Sequence, residues 1–242
     1  MRDAHLRSAD FLDVEHHAGM RLSGRVARLV SMFGGAVAAA ALLHPAGARA
    51  AEPLQLDFVT HAGFFSQETK QPNALDPQVF ARDGAAPAAV GPQGIAHVAG
   101  FRPLLLSDPK DTQVSTAKGK PLGFTAGKWL GATGHVTVTP AANGGAEIVA
   151  SFEGLNPGGT YSLFENHFDT KPVSFTPLDG KGTGNSFEAG RDGSASVKVR
   201  SPQMPTGMNA VLLVYHSDGK SHGESRGDIG VNAHHQLIAK IP

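Results

Sequence analysis

Alternation of apolar and polar residues divides the second half of this chain into short strands. "GHVTVTP" (134–140) alternates over Val136 and Val138, and "AEIVASFEG" (146–154) over Ile148, Ala150 and Phe152. "TYSLFEN" (160–166), "SASVKVR" (194–200, with Val197 and Val199) and "HQLIAKI" (235–241) are further strand candidates. A two-residue period places one set of side chains on a core and the other towards solvent. "NAVLLVYHS" (209–217) is almost continuously apolar, so its strand is expected to be buried on both faces. Turn clusters such as "AANGG", "NPGG" and "PLDGKGTGNSF" separate these segments. Short strands at this spacing predict an all-β fold, an antiparallel Greek-key β-sandwich over residues 121–242.

Residues 51–120 have a different texture, rich in Pro, Ala and Gln with weak periodicity. "LQLDFVT" (54–60) reads as a strand, "DGAAPAAVGPQG" (83–94) as a loop, and "FRPLLLSDP" (101–109) as an apolar run closed by a turn. This part is expected to be an irregular N-terminal extension that packs on the sandwich. No helical period is sustained beyond the first 50 residues.

Composition supports strands and turns: 30 glycines and 16 prolines accompany 40% hydrophobic residues. The formal net charge is zero, which offers no electrostatic footprint for nucleic acid. At the N-terminus, "RLSGRVAR" (21–28) carries three arginines and leads into the apolar "LVSMFGGAVAAAALL" (29–43). Ala48-Arg49-Ala50 then supplies a small-x-small cleavage pattern, with Ala51 as the first mature residue. These are the regions of a secretory signal peptide, and the apolar run falls short of the ~20 residues that span a bilayer. Residues 1–50 are therefore read as an N-terminal extension and cleavable signal, with Met20 as the expected true start, and no membrane span after cleavage. Export to the periplasm or beyond follows. With no cysteine in the chain, the fold holds without disulfides.

Candidate chemistry concentrates in "YHSDGKSHGESRGDIGVNAHH" (215–235), which gathers four histidines and two aspartates. If the strand ending at His216 pairs antiparallel with the one starting near His234 and His235, these histidines share one end of the sandwich. The connecting loop carries His222, Asp218 and Asp228 over that end. Imidazole and carboxylate suit zinc or copper(II). His167, after the 160–166 strand, joins them only if that strand runs the same way. Against a metal, His216 and His222 match no strong zinc spacing, and adjacent His234 and His235 point to opposite faces of a strand. The alternative is a solvated loop, although loops of this length in a compact domain are more often functional or self-packed than idle.

"VASFEGLNPGGTYSLFENHFD" (149–169) resembles the hairpin of copper/zinc superoxide dismutases and of CHRD-type exported sandwiches, through Gly154, Leu155 and Gly158. "KSHGESRGDIG" (220–230) resembles the same family's zinc loop at His222, Gly223, Gly227 and Asp228. The resemblance implies an immunoglobulin-like or superoxide-dismutase-like sandwich. It places Leu163 and Glu165 at the family's copper-ligand positions and Ser225 at a zinc-histidine position, so the copper ligands are missing. It implies a fold and no activity.

Other motifs carry less. No G-x-S-x-G elbow exists for a serine hydrolase, and Ser221, His222 and Asp218 have the right types without triad spacing. "GKGTG" (180–184) lacks the Lys-Ser/Thr ending of a phosphate loop. Arg226-Gly227-Asp228 is a three-residue adhesion match expected by chance, and Trp129 reads as a core or sheet-edge residue rather than a sugar platform. Glu153, Glu165 and Glu188 carry no sign of pairing. The sequence thus favours an exported, non-enzymatic protein with a binding or structural role towards an unidentified ligand or protein partner. A zinc- or copper-binding protein using His216, His222, Asp228, His234, His235 and His167 is the alternative. A hydrolase on the same loop is the third.

Overall fold

The computed structural model describes residues 52–242. The expected signal peptide and the Met20 start lie outside the described residues. In chain order the first elements are β1 (Leu54–Asp57), β2 (Val59–Thr60), α1 (His61–Glu68) and β3 (Leu75–Arg82). Next come β4 (Ala89–Val90), β5 (Ala96–His97), β6 (Phe101–Leu105), β7 (Gln113–Ser115), β8 (Pro121–Thr125) and α2 (Ala126–Leu130). They continue with β9 (Thr133–Pro140), β10 (Ala146–Glu153), β11 (Thr160–His167), β12 (Ser174–Pro177) and β13 (Ser186–Glu188). β14 (Ala195–Ser201), β15 (Asn209–His216) and β16 (Ala233–Lys240) complete the series.

Two antiparallel sheets make the sandwich. One has the order β1-β9-β10-β14, and the other β12-β11-β15-β16-β2, with β13 also paired to β11. The arrangement β9-β10-β14 against β11-β15-β16 is the Greek-key order of immunoglobulin-like sandwiches. Alternation works as the sequence implies. Val136, Val138, Ile148, Ala150, Phe152 and Val199 from one sheet meet Leu163, Leu213, Leu237 and Ala239 from the other in a single core. All eight residues of β15 are buried. Its odd positions, Val211, Leu213 and Tyr215, enter that core, while Ala210, Leu212 and Val214 join Phe164 and Ile238 in a second apolar cluster on the outer face. Burying a leucine such as Leu213 contributes roughly 2 kcal/mol.

Residues 52–120 are more regular than their sequence suggests. β1 pairs with β9 and β2 with β16, so the chain crosses at Phe58 from one sheet to the other and ties the sandwich at that edge. A third sheet, β6-β3-β7-β8, follows, and its Val79, Ala81, Leu104, Val114, Leu122 and Phe124 belong to the main core. The boundary expected between 120 and 121 falls in the turn between β7 and β8 of this sheet. α1 begins where the Thr60 hydroxyl accepts from the Gly63 N–H at 3.2 Å, an N-cap bond that satisfies one otherwise unpaired helix-end donor.

One irregularity positions the site. Between Leu213 and Val214 of β15 the partner on β16 steps from Leu237 to His235, so Gln236 is an extra residue. Such a β-bulge re-aims neighbouring side chains. Here Leu237 and His234 face inwards, and His235 shares the outer face with Ile238. The Gln236 side chain is anchored by donating to the Trp129 carbonyl at 2.9 Å.

Candidate functional site

The six histidine and aspartate positions singled out from the sequence fall into separate environments. β15 and β16 are antiparallel neighbours, which puts His216 opposite Ala233 and Tyr215 opposite His234. His234 turns into the layer between the sandwich and the third sheet. Its Nδ1 meets the Gln78 carbonyl at 3.0 Å, its Nε2 meets the Ser217 hydroxyl at 3.2 Å, and its ring lies edge-on to Trp129. His235 turns the other way. His167 sits at the opposite end of β11, paired with Asn209, where it bonds Thr176 and Asn209; it does not join the others. Asp228 anchors the end of the loop through its backbone: its N–H donates to Asn232 Oδ1 at 2.7 Å, and its carbonyl accepts from Val231, Asn232 and Ala233.

His216 and His222 do stay together. Their ring centroids are 5.2 Å apart, and Asp218 lies 3.2 Å from His222 Nε2 without hydrogen-bond alignment. His216 Nε2 meets the Ser162 hydroxyl at 2.8 Å, while His216 Nδ1 and His222 Nε2 are buried without a hydrogen-bond partner. Burial, then the neighbouring His222, pushes His216 down to about 4, so its ring is neutral. Among the described residues, no three His, Asp or Glu side chains gather closely enough to hold a metal ion. Leu163, at the dismutase copper-ligand position, is buried in the core between the sheets. The serine within reach of His216 is the fully buried Ser162, and Ser221 instead bonds Ser186 at 2.6 Å. Among the described residues no acid orients His216 Nδ1, so none of them completes a nucleophile–base–acid chain there.

The outer face of β11, β15 and β16 carries a cavity of about 530 Å³. Its walls come from α1 (His61, Phe64, Phe65), the end of β11 and the loop to β12 (Asn166, Phe168, Val173), and Phe175 of β12. Gln78 of β3, Gln93 and Ile95 of the β4–β5 hairpin, and Arg226 and Ile229 of the 217–232 loop close it over His235 and Ile238. The apolar surface is mainly phenylalanine and isoleucine; Glu68, Thr69 and Asn166 also line it, and His61, Gln78, Gln93, Arg226 and His235 gather at one corner. This is the size and composition of a small-molecule pocket.

That corner is built around His235. Its Nε2 lies 2.9 Å from Arg226 Nη1, and its Nδ1 lies 3.0 Å from Gln78 Nε2 and 3.4 Å from His61 Nε2. The Gln78 amide is fixed in place: Oε1 accepts from the His235 backbone N–H at 2.7 Å, and Nε2 donates to Gln93 Oε1 at 2.8 Å. Arg226 lays its guanidinium 3.2 Å over the Phe175 ring, a cation–π contact. Burial pushes Arg226 down to about 10, which leaves it charged at neutral pH. Among the described residues no carboxylate forms an ion pair with it. Burial, and then the Arg226 charge, pushes His61 down to about 3; burial, then His61 and Arg226, hold His235 well below the ordinary histidine range. Both rings are neutral, leaving Arg226 as the cation of the corner.

Of this constellation the sequence singled out His235. His61 and Gln78 escaped notice because their partners stand 174 and 157 residues away. Arg226 was visible within the Arg-Gly-Asp triplet, but its side chain is folded over Phe175. Its weak signal is a basic residue in a Gly/Ser loop that closes over an aromatic-rich sheet face.

Compared with protein-family models, with curated proteins and with solved structures, the chain matches none. The class defined by its own residues is an all-β, immunoglobulin-like sandwich with a third sheet packed on it and an apolar cavity on its outer face.

Proposed function

We propose that this chain is an exported, non-enzymatic binding protein that holds a small, largely apolar molecule in the cavity over β11, β15 and β16. The carrying observation is that cavity. About 530 Å³ of space lies beside Phe64, Phe65, Phe168, Phe175, Ile229 and Ile238, and five of its polar side chains, His61, Gln78, Gln93, Arg226 and His235, converge on one corner. Export rests on the basic, apolar and small-x-small segments of residues 21–51. The test is titration of the chain with the neutral fluorophore N-phenyl-1-naphthylamine, alone and after Phe175→Ala. Saturable enhancement that the substitution weakens supports the reading. Absence of saturable binding removes it.

A second reading is a zinc or copper(II) site on His216 and His222, supported by their two buried imidazole nitrogens that lack partners. Asp218 or water would complete the coordination. It predicts stoichiometric metal on the untagged protein and a melting point raised by added zinc or copper, both lost in His216→Ala and His222→Ala. A metal-free protein whose melting point ignores both ions rules it out.

A further inference from the structure

We infer that the molecule held in this cavity is a monocarboxylate, its anionic head seated at Arg226 beside His61 and His235 and its apolar body lying along Phe64, Phe168 and Phe175. The inference rests on the cavity being a binding site and adds the ligand's chemical class.

Hydrogen-bond accounting at the corner carries it. A neutral imidazole accepts at one nitrogen only. His235 has the Arg226 guanidinium at one nitrogen and the Gln78 amide N–H at the other, so either tautomer leaves one of these donors facing an N–H. The Gln78 amide cannot turn round to relieve this, because both of its ends are already engaged with the His235 backbone and Gln93. His61 Nδ1 is buried without a partner. Of the five N–H groups on a guanidinium, Arg226 has, among the described residues, a hydrogen-bond partner only for the one directed at His235. The corner therefore holds more donors than acceptors around one uncompensated cation in an apolar setting. Leaving such a charge unpaired is costly, and a bound anion relieves it.

The same features fix the kind of anion. A carboxylate is planar, carries a single charge and accepts two parallel N–H bonds from a guanidinium fork. Glu68 also lines the cavity, but at its exposed rim and not paired with Arg226, so at the buried corner one cation flanked by two neutral imidazoles matches one negative charge; a phosphate dianion would remain half-compensated among phenylalanines. The contact with Phe175 holds the guanidinium in place, so less is lost when a planar partner docks.

Three ten-carbon ligands with different heads test this: decanoate, decanol and decyl phosphate, each displacing N-phenyl-1-naphthylamine from the full chain. Decanoate is expected to displace the probe at about tenfold lower concentration than decanol, the advantage of charge-assisted over neutral hydrogen bonds. In Arg226→Gln the ratio between decanoate and decanol should fall to about one, with Trp129 fluorescence confirming a folded variant. If the variant does not fold, the wild-type ranking of the three heads still decides. Equal displacement by decanoate and decanol overturns the carboxylate inference and leaves the apolar pocket standing. Decyl phosphate binding more tightly than decanoate overturns it as well. No displacement by any ligand, with no saturable probe binding, removes the pocket reading itself.

Discussion

Acid should unfold this protein well before its surface carboxylates titrate. Burial pushes His61 down to about 3 and both His216 and His234 down to about 4. In the folded state these rings stay neutral at pH 5, where an unfolded imidazole, ordinary value 6.5, is charged. Above pH 6.5 the two states bind protons alike. Below it the unfolded chain binds more, so stability falls with pH until the folded values are reached. Between pH 7 and pH 5 this linkage costs about 2 kcal/mol per histidine, or about 6 kcal/mol for the three. His235 adds to it in the same direction. Asp76 opposes the trend. Burial pushes its carboxyl up to about 6, against hydrogen bonds from Trp129 and the Gln78 and Val79 backbones, so the folded state gains a proton first. That returns about 1 kcal/mol over the same interval. The net loss of about 5 kcal/mol is comparable to the whole stability of many domains, about 5–15 kcal/mol. Urea melts at pH 7, 6 and 5, followed by the single tryptophan, Trp129, measure it directly. His234→Gln should flatten the pH dependence by about 2 kcal/mol. A midpoint that holds steady or rises from pH 7 to pH 5 would refute the argument.

Asp76→Ala should lower stability at pH 7 by about 3 kcal/mol, because the Trp129 indole N–H and two backbone N–H groups lose their acceptor in a buried layer; chemical denaturation reads this, and a loss under 1 kcal/mol would count against it. Leu213→Ala, in the strand buried on both faces, should cost about 3 kcal/mol by the same assay. Asp179→Ala removes the acceptor for the backbone N–H groups of Lys181, Gly182, Thr183 and Gly184. Amide exchange in residues 180–185 should then quicken with little change elsewhere.

How far the sequence revealed this architecture depends on where each residue's partners lie. β9, β10, β14 and β15 were legible because their core residues repeat every second position, or continuously where both faces are covered. β3 was hidden: Pro77 interrupts it, and its buried Asp76 and Gln78 look like surface residues until Trp129 and His235 are brought to them. α1 has two adjacent phenylalanines and no repeating stripe, so its eight residues give no helical period. Among the site residues, the sequence set His234 and His235 on opposite faces. It could not tell which face would meet His61 and Arg226, because those contacts join segments far apart in the chain.

The Gln236 bulge governs that choice. A β-strand reads like a code of parity, odd residues for one surface and even for the other, and one inserted residue inverts the reading for everything on its far side. If Gln236 took a regular place opposite Val214, the two messages would be exchanged. His235 would leave the cavity and His234 would enter it, although no residue at the corner itself had been replaced. A change of register at this position is therefore a substitution in disguise. Whether this one residue is paired or skipped sets the chemistry of the pocket as firmly as the identity of any side chain lining it.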